Sequence, residues 1–139
     1  MKSNPHLAFD GRRKEAFEFY EKRLGGKVVA MIPYAEMPNA QDLPADMRGR
    51  IMHARLALGD QVLMGCDAHP GTPYEGIRGC DVAVQVKTAD EAERLFAALS
   101  EGATVQMPIG ETWNLARFGM LTDRFGVPWM ICCEKAAGA

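Results

Sequence analysis

The chain has 139 residues, of which 47% are hydrophobic and 24% charged, with 14 Gly, 8 Pro and 9 Met. That composition is ordinary for a globular protein, and the length is typical of one domain. Sixteen Lys and Arg against eighteen Asp and Glu leave a formal net charge of -2. Because there is no basic surplus to hold a phosphate backbone or an anionic bilayer, we expect neither a nucleic-acid nor a membrane partner.

Localisation is predicted from apolar runs and cysteines. No window approaches the roughly 18 continuous apolar residues of a membrane helix, and residues 1–11 lack the apolar core of a signal peptide. Cys66, Cys80, Cys132 and Cys133 show no CxxC spacing. We interpret all four as free thiols in a reducing compartment and predict a cytoplasmic protein without a disulfide scaffold or a zinc ribbon.

The first half of the sequence predicts a strand, a helix and three further strands. Ala16, Phe17, Tyr20 and Leu24 recur at helical spacing before two glycines that end the helix. The predicted elements are a strand over residues 5–10, a helix over 12–24, and strands over 27–34, 52–58 and 61–66, the last two joined by a turn at Gly59. The connection over 35–50, rich in Pro and Asp, predicts only a short helical turn.

The second half repeats this order. A helix over residues 90–100 aligns with the first helix at an offset of 76, so that Ala16 matches Ala92 and Gly26 matches Gly102. The other predicted elements are strands over residues 81–86, 103–109, 119–122 and 127–134. The sequence therefore predicts an α+β protein made of two tandem βαβββ modules.

The two modules are predicted to span about residues 1–70 and 76–139. Each module of about 70 residues would be marginal alone, so we expect one domain over 1–139 in which the modules share a core. Helices on the outer face of a mixed sheet leave the other face to curve into a cup. Concave surfaces of this kind favour small-molecule sites.

Several motifs occur in an order and spacing that point to a known family. They are PHLAFDG at residues 5–11, AFEFY at 16–20, HARL at 53–56, MGCD at 64–67 and TDRFGVPW at 122–129. Together they resemble the vicinal oxygen chelate superfamily (glyoxalase I, extradiol dioxygenases, bleomycin-resistance proteins), and within it the PhnB-like, or demethylubiquinone methyltransferase-like, branch. The resemblance implies paired βαβββ modules and a homodimer that completes its cups across two chains.

The resemblance also bears on a metal site. Metalloenzymes of the superfamily hold a divalent ion with four ligands, usually His and Glu, and alignment puts those positions at Pro5, Met64, Asp81 and Met130. Only Asp81 is a plausible ligand, because a thioether binds such ions poorly and Pro offers no donor. We therefore expect no metal and no cofactor. His6 is an alternative ligand, but a one-residue shift on a strand turns its side chain to the opposite face.

Strand alternation predicts which side chains line the cup. Val82, Val84 and Val86 form the apolar set beneath a helix, and the offset of 76 then directs Leu7 and Phe9 into the cup. Trp113 and Arg117 are expected at the rim, where Trp113 either stacks on a ligand or caps the core. The candidate ligand-binding residues are Phe9, His53, Arg55, Met64, Asp81, Gln85, Trp113, Arg117 and Met130.

Three functions are candidates for a protein with this pattern. We favour a metal-free module that binds a small organic anion with an aromatic or apolar body, in which Arg55 pairs the anion and His53 acts as its partner or as a general base. The alternative is a metal-dependent lyase or dioxygenase of glyoxalase type with rearranged ligands. A methyltransferase is disfavoured, because no strand is followed by a Gly-rich turn that opens a helix. The ligand's identity and the presence of any catalysis stay open.

Overall fold

A computed structural model describes residues 1–68 and 73–136. The chain divides into two compact units, Met1–Gly76 and Ile77–Ala139, whose boundary lies close to that of the predicted modules. Each unit follows the predicted order of strand, helix and three strands, so the α+β, two-module prediction is confirmed. Within the described ranges, no helix is both long and apolar enough to cross a membrane.

The first unit is a four-stranded sheet with one main helix. Its elements are β1 (His6–Phe9), α1 (Arg13–Leu24), β2 (Lys27–Pro33), a short helix α2 (Ala45–Arg48), β3 (Ile51–Leu58) and β4 (Gln61–Asp67). The strands lie in the order β1-β4-β3-β2, with β1 parallel to β4 and the other pairs antiparallel. The connection before β3 holds two 3-10 turns as well as α2, more helical structure than the single turn predicted.

The second unit repeats the sheet topology. Its elements are β5 (Val82–Val86), α3 (Ala89–Ser100), β6 (Thr104–Gly110), β7 (Leu115–Thr122) and β8 (Pro128–Glu134). The strands lie in the order β5-β8-β7-β6, again with the first pair parallel. β7 begins four residues earlier than its predicted start at residue 119, and this changes the setting of Arg117.

Local signals set the ends of the two main helices. α1 ends at Gly25, which adopts a left-handed conformation with φ of 76° that is unfavourable for residues with a Cβ. α3 begins after Thr88, whose side-chain oxygen accepts a hydrogen bond from the Glu91 amide at 3.1 Å. Each helix buries the apolar face predicted from its spacing, including Phe17 in α1 and Phe96 in α3.

The face that β1 turns toward its helix differs from the prediction. Leu7 and Phe9 are buried, whereas His6 and Ala8 are exposed. The Phe9 ring meets the Phe17 ring of α1 edge-on, with centroids 6.4 Å apart. The prediction that Leu7 and Phe9 point into the cup was therefore wrong, and Phe9 is a core residue beneath α1.

The error comes from a one-residue difference in length between the two units. In the first unit His6 is the Cα partner of Met64, whereas in the second unit the corresponding pair is Ala83 with Met130. The offset between these strands is thus 77, while the helices match at 76, because the connection from β1 to α1 is one residue longer than that from β5 to α3. A one-residue shift moves every side chain of a strand to the other face.

The second unit faces its helix as predicted. Val82, Val84 and Val86 are the Cα partners of Trp129, Ile131 and Cys133, all of which are buried. Neighbouring partners in a ladder point to the same side of the sheet. The prediction that Trp129 belongs to the core is confirmed.

A buried carboxylate fastens the first unit together. Asp67, at the end of β4, accepts a hydrogen bond from the Arg13 amide at 3.0 Å and another from the Ile51 amide at 2.7 Å. These bonds connect β4 to the starts of α1 and β3. Asp67 therefore links three elements of the first unit.

Arg13 itself is fully buried between α1 and the sheet. Its guanidinium lies over the Phe17 ring and donates a hydrogen bond to the Ala54 carbonyl at 3.3 Å, while Nε and Nη1 find no hydrogen-bond partner among the described residues. Burial lowers the pKa of Arg13 to about 9. Gly65 makes room for this side chain, since a Cβ there would lie 2.8 Å from the guanidinium carbon.

Candidate functional site

The candidate site lies on the side of the first sheet opposite α1, here called the far face. Met64 in β4 is the Cα partner of His6 on one side and of Arg55 on the other. His53 lies two residues before Arg55 on β3, so it points the same way. The register therefore brings His6, His53, Arg55 and Met64 together on one face.

The two histidines form a pair across β4. The rings of His6 and His53 are nearly parallel, at 21°, with centroids 6.3 Å apart. Partial burial, the His53 imidazole and the Arg13 guanidinium all lower the pKa of His6. His6 is thus in surroundings that oppose a further positive charge.

Basic groups on the far face have no carboxylate among them. Arg55 is exposed and forms no hydrogen bond or ion pair within residues 1–68 and 73–136. The register assigns to this face Lys27, Ala30 and Ile32 of β2 together with the side chains named above, and none of these residues is Asp or Glu. An exposed arginine and an exposed lysine on a face without a carboxylate are the electrostatic pattern expected of an anion site.

The middle of the far face, formed by β4, is apolar and its thiol is poorly reactive. Met64 and Cys66 of β4 are half-buried. Burial raises the pKa of the Cys66 thiol, although Arg13 partly opposes this shift. Because the thiolate is the reactive form, Cys66 suits a surface that packs against a ligand better than a nucleophile.

The superfamily's divalent metal does not fit the residues present. The register replaces Pro5 by His6 as the β1 residue that shares a face with Met64, so the prediction that His6 points away was wrong. Even with His6, the β4 position offers only a thioether, which is a poor ligand for hard divalent ions. Throughout the described ranges, no three His, Cys, Asp or Glu side chains are grouped so that they could hold a metal ion.

The second unit carries a separate cleft of about 710 Å³. Gln85 lines it beside its Cα partner Cys132, and Lys87 and Lys135 contribute charge. Met130 is half-buried on the same side of the sheet as Gln85, and Asp81 is exposed just before β5. Gln85 and Met130 therefore lie on the predicted face.

The two predicted rim residues have different settings. Trp113 lies in the loop before β7 with 89% of its surface exposed, so it does not cap the core. Arg117 lies within β7 as the Cα partner of Cys133 and forms a 2.8 Å ion pair with Glu93 of α3. The predicted position of Arg117 at a loop rim was wrong, because the strand extends through it on the helix side.

Solved structures place this architecture in a known class. Proteins described as glyoxalase/bleomycin resistance proteins share the fold at 12–14% sequence identity, with TM-scores of 0.66–0.70. The chain accordingly has the glyoxalase-like fold that the motifs had indicated.

A family model identifies the family to which the chain belongs. The family model described as 3-demethylubiquinone-9 3-methyltransferase matches residues 1–132, and the chain belongs to this PhnB-like family. It is 50% identical to protein PA1353 from Pseudomonas aeruginosa, with 98% of this chain and 99% of that chain covered and a TM-score of 0.89. A solved structure from Bacillus cereus, described as a putative 3-demethylubiquinone-9 3-methyltransferase, PhnB protein, is 25% identical, with coverages of 96% and 99% and a TM-score of 0.79.

A curated relative extends the likeness without adding an activity. Protein YjdN from Escherichia coli K12 is 30% identical over 143 residues, which cover 97% of each protein. The name of YjdN specifies neither a ligand nor a reaction, and the methyltransferase named in the family description is a property of the relatives that bear that name.

Proposed function

We propose that this protein binds a small organic anion with an apolar body on the far face of its first unit. The observation that carries the proposal is the register that puts Arg55, His53 and Met64 on one face without a carboxylate. A guanidinium can pair a carboxylate, sulfonate or phosphate through two hydrogen bonds. Arg55 is exposed and can offer these donors to a ligand.

The apolar part of the ligand would rest on β4. Met64 and Cys66 offer a half-buried surface, and each Å² of apolar area removed from water contributes about 25 cal/mol. This contribution favours binding without selecting a chemical group. Selection for anions is therefore assigned to Arg55 and His53, and the proposal requires no metal.

We also propose that the protein is a cytoplasmic homodimer. Val29 on the edge strand β2, and Val105 and Met107 on the edge strand β6, are exposed apolar residues, and exposed apolar surface of this kind favours association. The four cysteines are unpaired, which suits a reducing compartment. Sedimentation should give a dimer at micromolar concentration, and a 15.3 kDa monomer would contradict this part of the proposal.

Binding of an anion and of its neutral analogue tests the proposed function. Naphthalene-2-sulfonate and naphthalene-2-sulfonamide share an apolar body and differ in charge. In calorimetric titrations, Arg55→Ala should weaken sulfonate binding by about 1.5–3 kcal/mol, the range for hydrogen bonds to charged groups, and leave sulfonamide binding unchanged.

The matched control removes an exposed arginine on the opposite side of the same sheet. Arg23→Ala on α1 changes the net charge equally and should alter neither affinity, since α1 lies on the side of the first sheet opposite the far face. An equal loss for both ligands in Arg55→Ala, or no loss at all, would contradict the proposed function. An equal effect of Arg23→Ala would show that only the net charge matters.

A further inference from the structure

We propose that His6 completes the anion site, and that anion binding on the far face is coupled to uptake of a proton by the His6 imidazole. This inference rests on the proposed function and specifies how that site is regulated. It predicts an affinity that increases as the solution becomes more acidic. Arg55 would supply the permanent positive charge, and His6 a second, conditional one.

The fold itself does not require a histidine at this position. In the second unit the residue in the same register is Ala83, paired with Met130 as His6 is paired with Met64. His6 is exposed on the far face, and its ring lies over β4 next to His53, with centroids 6.3 Å apart. The His6 imidazole is not needed for packing and lies on the same face as Arg55. It is therefore available to a ligand.

The charged and titratable groups around His6 come from every packed element. His53 and Arg55 lie on β3, Cys66 on β4, Lys27 on β2 and Arg13 on α1. Asp67 is the carboxylate at the end of β4, but it is buried, and both of its oxygens already accept backbone hydrogen bonds. Protonated His6 therefore has no carboxylate partner on the far face before a ligand arrives.

The direction of the coupling follows from these surroundings. Without ligand, burial and the repulsion from His53 and Arg13 lower the pKa of His6, so the imidazole is mostly neutral at neutral pH. A bound anion would reverse the local electrostatic balance and raise this pKa, because an opposite charge nearby favours the protonated form. By linkage, the complex takes up a proton in the interval between the free and bound pKa values.

The affinity for the anion depends on pH only between the free and the bound pKa of His6. Above the bound pKa, His6 is neutral in both states and affinity does not depend on pH. Between the two values, affinity rises by up to about tenfold for each unit of decrease in pH, the limit for one proton. Below the free pKa, His6 is protonated in both states and the affinity levels off.

The test uses naphthalene-2-sulfonate, whose charge does not change between pH 5 and 8. Its affinity for the unmodified protein should rise severalfold or more from pH 8 to pH 5.5. Calorimetry in buffers of different ionisation enthalpy should show proton uptake that approaches one per ligand within that interval. The neutral sulfonamide should show neither effect.

His6→Ala introduces the second unit's residue and should markedly reduce both the pH dependence and the proton uptake, the remainder belonging to His53, while binding at pH 8 still depends on Arg55. A direct readout uses unmodified protein: the imidazole C2 proton of His6, assigned by its loss in His6→Ala, should report a higher pKa at saturating sulfonate than without ligand.

Two results would overturn the inference in distinguishable ways. Sulfonate binding that depends on Arg55 but not on pH, with no change in the His6 titration, removes the role of His6 and leaves the proposed function intact. The same conclusion follows if proton uptake persists undiminished in His6→Ala. An absence of sulfonate binding at every pH between 5 and 8 overturns the inference together with the proposed function.

Discussion

The two units share one sheet topology and differ in the chemistry of the face opposite the helix. The registers match His6 with Ala83, Arg55 with Met120 and Met64 with Met130. His53 likewise corresponds to Phe118, the Cα partner of Cys132. Basic groups in the first unit thus correspond to apolar ones in the second. The difference teaches that a repeated fold can keep its pairing pattern while the basic side chains of one copy are replaced by apolar ones in the other.

The helix sides differ in a complementary way. The first unit buries the large Arg13 at the start of α1 over Gly65, whereas the second has the small Ala89 at the start of α3 and a buried Ile131 in the β8 position that matches Gly65. At these two positions, each unit therefore combines one large and one small residue: Arg13 with Gly65 in the first unit, and Ile131 with Ala89 in the second. Close packing requires such compensation, because a core tolerates little change in volume.

Loss of Asp67 should have the largest effect on the first unit. Asp67→Ala leaves the buried Arg13 and Ile51 amides without their acceptor, and each unsatisfied group costs about 1–3 kcal/mol. Urea unfolding should show a free energy of unfolding lower by about 2–6 kcal/mol. Asp60→Ala, at the exposed turn after β3, is the control and should change it little. Similar stability of the two variants would refute the linking role of Asp67.

Substitution of Gly65 should have a smaller effect that sharpens the comparison of the helix sides. A Cβ at Gly65 would meet the Arg13 guanidinium and the Leu7 carbonyl, and overpacking of this kind costs about 1–3 kcal/mol. Gly65→Ala should lower the denaturation midpoint accordingly. Gly110→Ala is matched, because no atom lies within 4 Å of a Cβ built there, and should be neutral. If Gly65→Ala and Gly110→Ala have the same denaturation midpoint, the Arg13 side chain does not occupy the space beside Gly65.

We expect the metal content of the purified protein to be close to zero. Protein purified without chelator should carry no tightly bound divalent ion, because Met64 and Met130 offer only thioethers at two of the four positions implied by the superfamily, and within the described ranges no three His, Cys, Asp or Glu side chains are grouped so that they could hold a metal. Elemental analysis by mass spectrometry measures this directly. Near-stoichiometric zinc, nickel, manganese or iron, lost on substitution of His6, His53 or Asp81 by Ala, would break the account and favour the glyoxalase-type enzyme.

The sequence was sufficient for the fold because the helices and hairpins carry strong local signals. The apolar spacing of Ala16, Phe17 and Tyr20, with its match at offset 76, locates both modules. The orientation of β1 failed because the offset was carried across a connection of unequal length. The alternation of β1 itself held the correct signal, since Leu7 and Phe9 are the large apolar residues and alternate with His6 and Ala8.

The site was only partly predictable for related reasons. His53 and Arg55 were found because they alternate with the apolar Ala54 and Leu56 in β3, and Met64 was found from the alignment that the family resemblance implies. His6 was assigned to the wrong face with the rest of β1. Arg13 was missed because a charged residue at the start of a helix is expected in solvent, and its burial depends on Gly65, which lies 52 positions away in sequence.

The central claim is that the far face of the first unit is where the anion binds, and the methyl group of Met64 reports on that face most directly. In carbon-proton spectra of the methionine methyls, assigned for this residue with Met64→Leu, titration with naphthalene-2-sulfonate should shift the Met64 signal along a saturable curve. The same titration of Arg55→Ala should require a concentration higher by at least about tenfold, the equivalent of 1.4 kcal/mol. A Met64 signal that stays fixed while the unmodified protein is saturated with sulfonate would contradict the account.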